Sequence, residues 1–287
     1  MNYLYYPGCS LDGSAREYDI STRALMETLG ATLHDIEDWT CCGASAAEAT
    51  SALLALALPA RNLALAEKMG HREDILVPCS ACYLNLKTVT EKIADPEISK
   101  KIHAVLAEES LELNGSLRVR HLLDVLVNDI GPQMLNERVQ RRLEGLVIAP
   151  YYGCQCLRPY PVFDDPEQPR SMEPLLEAVG ATVHSWDMGG KCCGASHMNT
   201  KMEVGLELVG AILEAASGAD AIVTVCPMCQ MNLEAYQNKI SSLRGKDLHM
   251  TILYLPQLLG LALGLPPEAL RCDLNLAVEK GFEKKIA

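Results

Sequence analysis

Thr40-Cys41-Cys42-Gly43-Ala44-Ser45 returns almost unchanged as Lys191-Cys192-Cys193-Gly194-Ala195-Ser196, and the rest of the chain reads outward from these two stretches. Upstream of each, an apolar run of strand character ends in Gly-Cys: residues 3–8 before Cys9, and residues 147–153 before Cys154. Downstream of each lies Cys-x-x-Cys, with Cys79 and Cys82 in the first half and Cys226 and Cys229 in the second. Each half therefore carries five cysteines in one order.

Adjacent cysteines narrow the chemistry. Consecutive Cα atoms lie about 3.8 Å apart, short of the roughly 4.4–6.8 Å that a disulfide prefers, so a bridge within a Cys-Cys pair is strained. Cys-x-x-Cys is a common zinc half-site, but a closed structural zinc takes four ligands and leaves a fifth thiolate unused. Five soft donors per half suit an iron-sulfur cluster better, with structural zinc and plain thiols or disulfides as the alternatives. A Cys-x-x-Cys at a strand-to-helix junction also offers anionic sulfur the free amides and dipole of a helix N-terminus.

Composition sets the wider bounds. A chain of 287 residues, 49% hydrophobic, holds two domains of ordinary size with packed cores. A net charge of −12 disfavours a nucleic-acid partner, which requires a basic face. No apolar run reaches the ~20 residues of a membrane span, and the N-terminus has neither a basic leader nor a small-residue cleavage site. A cytoplasmic protein is expected, and in that compartment twelve cysteines read as metal ligands before disulfides.

Strand and helix patterns alternate. Residues 3–7 read as a buried strand, 14–29 as a helix closed by Gly30, 31–36 as a strand, and 44–69 as one long helix. That helix is apolar all round near residues 53–58, which predicts burial there, with a kink at Pro59. A strand over 74–77 leads through Cys79-x-x-Cys82 into a helix over 83–93. Residues 95–146 read as closing helices and a linker, including a helix over 119–128 and a turn at Gly131-Pro132. In the second half, residues 175–184 (LLEAVGATVH) repeat residues 25–34 (LMETLGATLH) at six of ten positions, and Cys229-Gln-Met-Asn-Leu mirrors Cys82-Tyr-Leu-Asn-Leu. The fold class is α/β: two homologous lobes, each a small parallel sheet flanked by helices, related by internal duplication. The expected domains are 1–146 and 147–287, the second ending in a helical tail. Residues 157–171, with four prolines, must be a loop.

The spacing Cys9, 31 residues, Cys41-Cys42, 36 residues, Cys79-x-x-Cys82, followed by Cys154, 37 residues, Cys192-Cys193, 32 residues, Cys226-x-x-Cys229, resembles the duplicated cysteine-rich CCG domain. Over nearly its full length the chain resembles the B subunits of heterodisulfide reductase. Supporting matches are the runs 226–233 (CPMCQMNL), 119–123 (VRHLL) and 255–260 (LPQLLG). The shorter interval between the second Cys-Cys and Cys-x-x-Cys departs from the first half and bears on the shape of the second lobe.

That resemblance implies two non-cubane 4Fe-4S clusters, one held by Cys9, Cys41, Cys42, Cys79 and Cys82 and the other by Cys154, Cys192, Cys193, Cys226 and Cys229. It implies reduction of a low-molecular-weight disulfide, such as that of coenzymes M and B in methanogens, to two thiols at those clusters. Implied partners are a ferredoxin-like iron-sulfur subunit of the C type and a flavin-containing subunit of the A type, because the sequence has no ferredoxin-type cysteine run or Walker loop of its own. An electron-transfer subunit serving a quinone or a protein disulfide is the alternative. Lys191 and His197, beside the second Cys-Cys, and Arg158 and Arg170, in the proline-rich loop, are candidate contacts for an anionic substrate. His34 and His184, matched between the halves, are candidate hydrogen-bond partners of a cluster. Cys156 and Cys272 lie outside the repeat and read as small buried hydrophobes. Apolar residues within 258–265 are a candidate docking surface for a partner.

Overall fold

The computed structural model describes residues 1–44 and 46–286. Its contacts divide the chain into two compact units, residues 1–16 with 26–125 and residues 17–25 with 126–287. Residues 17–25 and 126–146 thus pack with the second unit, although the repeat places them in the first half of the sequence.

In the first unit the elements follow as β1 (Asn2–Tyr5), α1 (Gly8–Asp12), α2 (Arg16–Thr28, whose residues 17–25 belong to the second unit), β2 (Thr32–Asp35), α3 (Ala46–Thr50), α4 (Ala52–Lys68), β3 (Ile75–Val77), α5 (Ser80–Lys92), α6 (Pro96–Ala107), β4 (Val119–His121) and α7 (Leu122–Val125). The sheet is wholly parallel in the order β2-β1-β3-β4. Leu4, Tyr5, Ile75, Leu76 and Val77 are fully buried, as strands covered on both faces must be. Because β1 is joined onward to a neighbour on one side and β3 lies on the other, the chain after β1, β2 and β3 emerges at one carboxyl edge, where open α/β sheets place their sites.

The second unit repeats this plan after a π-helical turn at Leu126–Ile130 and α8 (Gly131–Arg138): β5 (Val147–Tyr151), α9 (Glu173–Ala178), β6 (Thr182–Val183), α10 (Met202–Ala215), β7 (Ala221–Thr224), α11 (Pro227–Ala235), α12 (Gln237–Arg244), β8 (Thr251–Tyr254), α13 (Leu255–Ala262), α14 (Pro267–Leu270) and α15 (Lys280–Ile286). Its parallel sheet runs β6-β5-β7-β8. The two sheets bear out the duplicated α/β plan, and residues 157–171 form no regular element.

Four expectations need correction. The helix over 44–69 is two helices: Ser51 is extended (φ −160°, ψ 128°) and its hydroxyl accepts from the Leu54 amide at 3.3 Å, so a good N-cap restarts the helix. Ser45, at the start of that span, lies outside the described residues. Leu53 and Leu54 are 38% and 39% exposed, not buried, because the first turn of α4 projects past the core. The helix over 119–128 begins instead as β4, whose Val119 and His121 pair with Ile75 and Val77; an open sheet edge captured a segment whose own helical pattern starts only at Leu122. Each sheet accordingly has a fourth strand. Leu258, Leu259, Ala262 and Leu263 are buried in the core and cannot dock a partner, while Leu261 and Leu265 are half-buried. Gly131, expected in a turn, does take a left-handed backbone (φ +73°), and Pro132 then opens α8.

Candidate metal centres

The ten cysteines of the two sets stand in the segments that follow β1, β2 and β3 and their counterparts β5, β6 and β7. Cys9 lies on α1 after β1, Cys41 and Cys42 lie in the loop after β2, and Cys79 is the N-cap residue of α5, which carries Cys82. In the second unit Cys154 follows β5, Cys192 and Cys193 occupy the loop after β6, and Cys226 is the N-cap residue of α11, which carries Cys229. The structure thus brings together all the expected sulfurs of the first set at one sheet edge, and does the same in the second. Cys42, Cys79, Cys82, Cys193, Cys226 and Cys229 are buried, whereas Cys9, Cys41 and Cys192 are exposed.

The sulfurs approach without bonding: among the described residues no disulfide joins any of the twelve cysteines. Sγ of Cys9 is 3.5 Å from that of Cys41, Cys42 is 3.3 Å from Cys82, and Cys193 is 3.6 Å from Cys229. The amides of Gly43 and Gly194 donate to Sγ of Cys41 (3.4 Å) and Cys192 (3.3 Å). Gly8 and Gly153 have positive φ (+73° and +71°), and a Cβ built on them would stand 2.7 Å from the Cys82 sulfur and 2.9 Å from the Cys229 sulfur. Only glycine fits both the backbone and the space.

Two braces recur. The Tyr6 hydroxyl donates to the Thr40 carbonyl at 2.6 Å, and the Tyr151 hydroxyl to the Lys191 carbonyl at 2.7 Å. Behind each Cys-x-x-Cys, Asn85 donates to the Cys42 carbonyl at 3.0 Å and Asn232 to the Cys193 carbonyl at 2.7 Å. The first unit adds Asn62, which accepts from the Thr40 amide at 2.8 Å and donates to the Thr40 carbonyl at 2.9 Å. Sequence reasoning assigned no role to these residues. The signal for the asparagines was present, since Asn85 and Asn232 sit in the matched Cys-x-x-Asn-Leu runs.

Crowded thiols set the electrostatics. Hydrogen bonds from Cys41 and Cys82 pull the Cys42 thiol down to about 4, while Cys82 is pushed well up by its bonding to Cys42 and Cys79 and by burial. In the second set the depressed thiol is Cys192, at about 6, held there by Cys154, by the Gly194 amide and by the positive fields of His197 and Arg158. Cys229 is pushed up by Cys193, Cys226 and burial. Each set therefore resists losing all its protons at once unless a cation compensates.

Lys191 and Arg170 line one cavity of about 690 Å³ in the second unit, together with Tyr152, Trp186, Glu173 and His184. His197 lies instead in a short 3₁₀ turn and acts on Cys192 through its charge. Arg158 is committed to the loop, bonding the carbonyls of Pro166 (2.6 Å) and Gly190 and the Glu167 carboxylate (3.1 Å). His184 Nε2 bonds the Ala215 carbonyl at 3.0 Å, and His34 stacks on His71 at 5.2 Å, so both histidines are engaged by their own helix-sheet layers. Cys156 is 1% exposed and donates to the Tyr152 carbonyl at 3.2 Å, as a small buried residue would. Cys272 is half-buried, and burial lifts its thiol to about 11.

The donor chemistry fits an iron-sulfur group. Each set consists of thiols alone, with paired sulfurs 3.3–3.6 Å apart and neighbouring amides directed at sulfur. Among the described residues, no three Cys, His, Asp or Glu side chains are grouped as ligands of a single metal ion.

Comparison with known proteins agrees with this arrangement. The CCG cysteine-rich domain family matches residues 3–87 and again residues 148–234. The 8-methylmenaquinol:fumarate reductase membrane anchor subunit of Wolinella succinogenes is 34% identical over 96% of both chains. A protein of Archaeoglobus profundus, named as like the B subunit of heterodisulfide reductase, is 29% identical over 93% of this chain and 92% of its own. The B subunit of the ferredoxin:CoB-CoM heterodisulfide reductase of Methanosarcina mazei is also 29% identical, over 100% of this chain and 97% of its own. A crystal structure of a hypothetical protein from Helicobacter pylori shares the fold (TM-score 0.74, 16% identity), matching 97% of this chain and about half, 52%, of that one. With the two domain matches falling on the two five-cysteine sets, the chain belongs to the CCG cysteine-rich domain family.

Proposed function

We propose that this chain is the iron-sulfur subunit of a heterodisulfide reductase-type complex, in which Cys9, Cys41, Cys42, Cys79 and Cys82 hold one non-cubane 4Fe-4S cluster and Cys154, Cys192, Cys193, Cys226 and Cys229 hold another. The observation that carries the reading is the pair of equivalent five-thiol sets, each braced by a tyrosine and an asparagine on the loop that bears the Cys-Cys. The reaction is reduction of a low-molecular-weight disulfide, of which the coenzyme M-coenzyme B heterodisulfide is an example: the S–S bond takes up two electrons and two protons and yields two thiols. The clusters, when bound, supply single electrons and iron for the departing sulfur. The chain supplies the rest. Gly8 and Gly153 let the backbone close on the sulfurs, and Lys191 and Arg170 offer counter-charge to an anionic substrate from the cavity they line. Electrons arrive from a ferredoxin-like iron-sulfur subunit and, behind it, a flavin-containing subunit.

Iron and sulfide analysis with EPR of anaerobically purified protein tests the cluster reading. Two clusters per chain, with spectra perturbed by a small thiol or disulfide, are expected; stoichiometric zinc without iron would end it.

One observation favours a second reading, transfer of electrons to or from a quinone. The Wolinella relative is named for a menaquinol reaction and as a membrane anchor. In the first unit the exposed Leu53, with Ala52, Ala55 and Leu56, lines an apolar hollow of about 690 Å³ rimmed by Lys92 and Lys101. Among the described residues no helix is long and apolar enough to cross a membrane, so attachment would be through such a surface. Co-sedimentation with anionic vesicles, lost on L53S/L54S, together with spectral change on adding a menaquinol analogue but not a disulfide, would favour it.

A further inference from the structure

The run Val119-Arg120-His121-Leu122-Leu123 carries a buried histidine whose two ring nitrogens do different work. His121 is the last residue of β4, opposite Val77, and is fully buried. It immediately precedes α7, and its Nδ1 accepts from the Leu123 amide at 3.2 Å, as the side chain of an N-cap residue does. An amide can only donate, so Nδ1 offers its lone pair and the ring proton sits on Nε2. Nε2 lies 3.2 Å from Oγ of Ser80 and therefore donates to it. Tyr83 meets the ring edge to face, with centroids 5.4 Å apart and planes at 75°, which fixes the ring's orientation.

Ser80 stands between Cys79 and Cys82 at the start of α5, so the imidazole reaches the first cysteine set through a single residue. Serine, aspartate or asparagine would cap α7 as well. An imidazole adds an N–H on the far side of the ring, and here that N–H, the positive end of the ring's dipole, faces the turn where thiolates and a bound cluster carry negative charge. Hydrogen bonds of this outer kind orient metal ligands and set the potential of iron-sulfur groups. The second unit is an internal control. Its Cys226-Pro227-Met228-Cys229 has proline where the first unit has Ser80, and Gln230 stands in the place of Tyr83. Tyr254, in register with Thr224 as His121 is with Val77, replaces the histidine. Pro227 has no hydroxyl to receive a proton, so the link from a ring N–H to the Cys-x-x-Cys turn belongs to the first set alone.

We propose that His121 is a positioning residue that acts through Ser80 to raise the reduction potential of a cluster in the first cysteine set above that of one in the second. The assignment rests on the reading above that both sets hold iron-sulfur clusters. Reduction adds one negative charge among the cysteines, and the inward-facing N–H stabilises that charge in the first set with no counterpart in the second. One electron, lost by a reduced iron-sulfur partner, therefore settles in the first set before the second is filled. No proton moves and no bond breaks in this step. Two sets built from the same donors thus fill in a fixed order.

Redox titration of the complete iron-loaded protein, followed by EPR, tests the assignment, each signal being assigned to its set by its loss in Gly8→Ala or Gly153→Ala. Ser80→Pro copies the second unit, and the fold accepts it. Position 80 opens α5, where proline is tolerated, and Cys79 before it is extended (φ −77°, ψ 118°), as a residue preceding proline prefers. Ser80→Pro and His121→Phe should each shift the one-electron equilibrium of the first set against reduction roughly tenfold, a fall of about 59 mV, with the second set unmoved. Iron content should stay at the wild-type level, whereas a merely structural role would lower it and leave the potential alone. His121→Gln, which keeps an N–H for Ser80, should restore most of the shift. Equal midpoints for the two sets in the wild type, or a first-set midpoint unmoved in Ser80→Pro, would overturn the proposal. Ring-nitrogen NMR of the apo protein that placed the proton on Nδ1 would overturn it without any metal. Iron absent from both sets, with the proton found on Nε2, would instead sink the cluster reading, and the proposal with it.

Discussion

The side-chain amide of Asn232 donates to the carbonyl of Cys193 at 2.7 Å, tying the helix that carries Cys229 to the loop that carries the Cys-Cys pair. Asn232 is 3% exposed, so the bond is made away from solvent. Asn232→Ala should cost about 1–3 kcal/mol, the penalty of an unsatisfied buried carbonyl. Denaturant unfolding of the apo protein measures this, and an unchanged midpoint would show the brace to be without effect. Iron loss from the second set ahead of the first is expected in the loaded protein.

Gly153 separates the two sets experimentally. In Gly153→Ala the new Cβ would stand 2.9 Å from the Cys229 sulfur at a backbone φ of +71°, so either the strand end or the sulfur must move. About half the iron should be lost, with the EPR signal of the first set kept. Gly8→Ala should produce the complementary loss, because its Cβ would stand 2.7 Å from the Cys82 sulfur. Equal loss from both sets in either variant would mean that the sets do not load independently.

What the sequence made legible was local and repeated. The Cys-Cys-Gly loops, the Gly-Cys after β1 and β5, and the Cys-x-x-Cys at the starts of α5 and α11 each depend on neighbours in the chain, so their spacing carried the plan of each lobe. What escaped depends on residues distant in sequence. Val119-Arg120-His121 is a strand only because β3 offers it an edge, and β8 was hidden within a long apolar run. Asn62 reaches Thr40 across 22 positions, and among the described residues of the second half no asparagine repeats it at Lys191. The break at Ser51 was readable in principle, since a serine before an apolar run is an N-cap signal, but the alanine-rich flanks concealed it.

Lys191 can be tested apart from its backbone role, because the Tyr151 brace uses its carbonyl while the residue also lines the cavity with Arg170, beside Glu167, Glu173, Glu177 and Asp187. If that cation meets an anionic disulfide, Lys191→Ala should raise KM about 10- to 100-fold with kcat near wild type, the loss of one charge-assisted hydrogen bond of about 1.5–3 kcal/mol. Lys191→Arg should restore most of it. A KM unchanged in Lys191→Ala would remove this residue from substrate binding.

Glu234 gives the fold a pH dependence whose direction is fixed. Its folded-state carboxyl is raised from 4.5 to about 7, chiefly by burial, so the native state holds the proton more tightly than the unfolded chain does. The stabilisation is fully present below pH about 4.5 and is lost as pH rises through about 7. Its full size is on the order of 3 kcal/mol, and Glu234→Gln, which cannot ionise, should be flat across that window. The measurement is the difference in unfolding free energy between wild type and variant in the apo protein, taken at intervals from pH 5 to 8 so that the cysteines, common to both, cancel. Wild type should lose stability relative to the variant as pH rises; a difference constant with pH would mean that Glu234 is ionised throughout, held as a carboxylate by Gln230 and the two amides of the C-terminal segment.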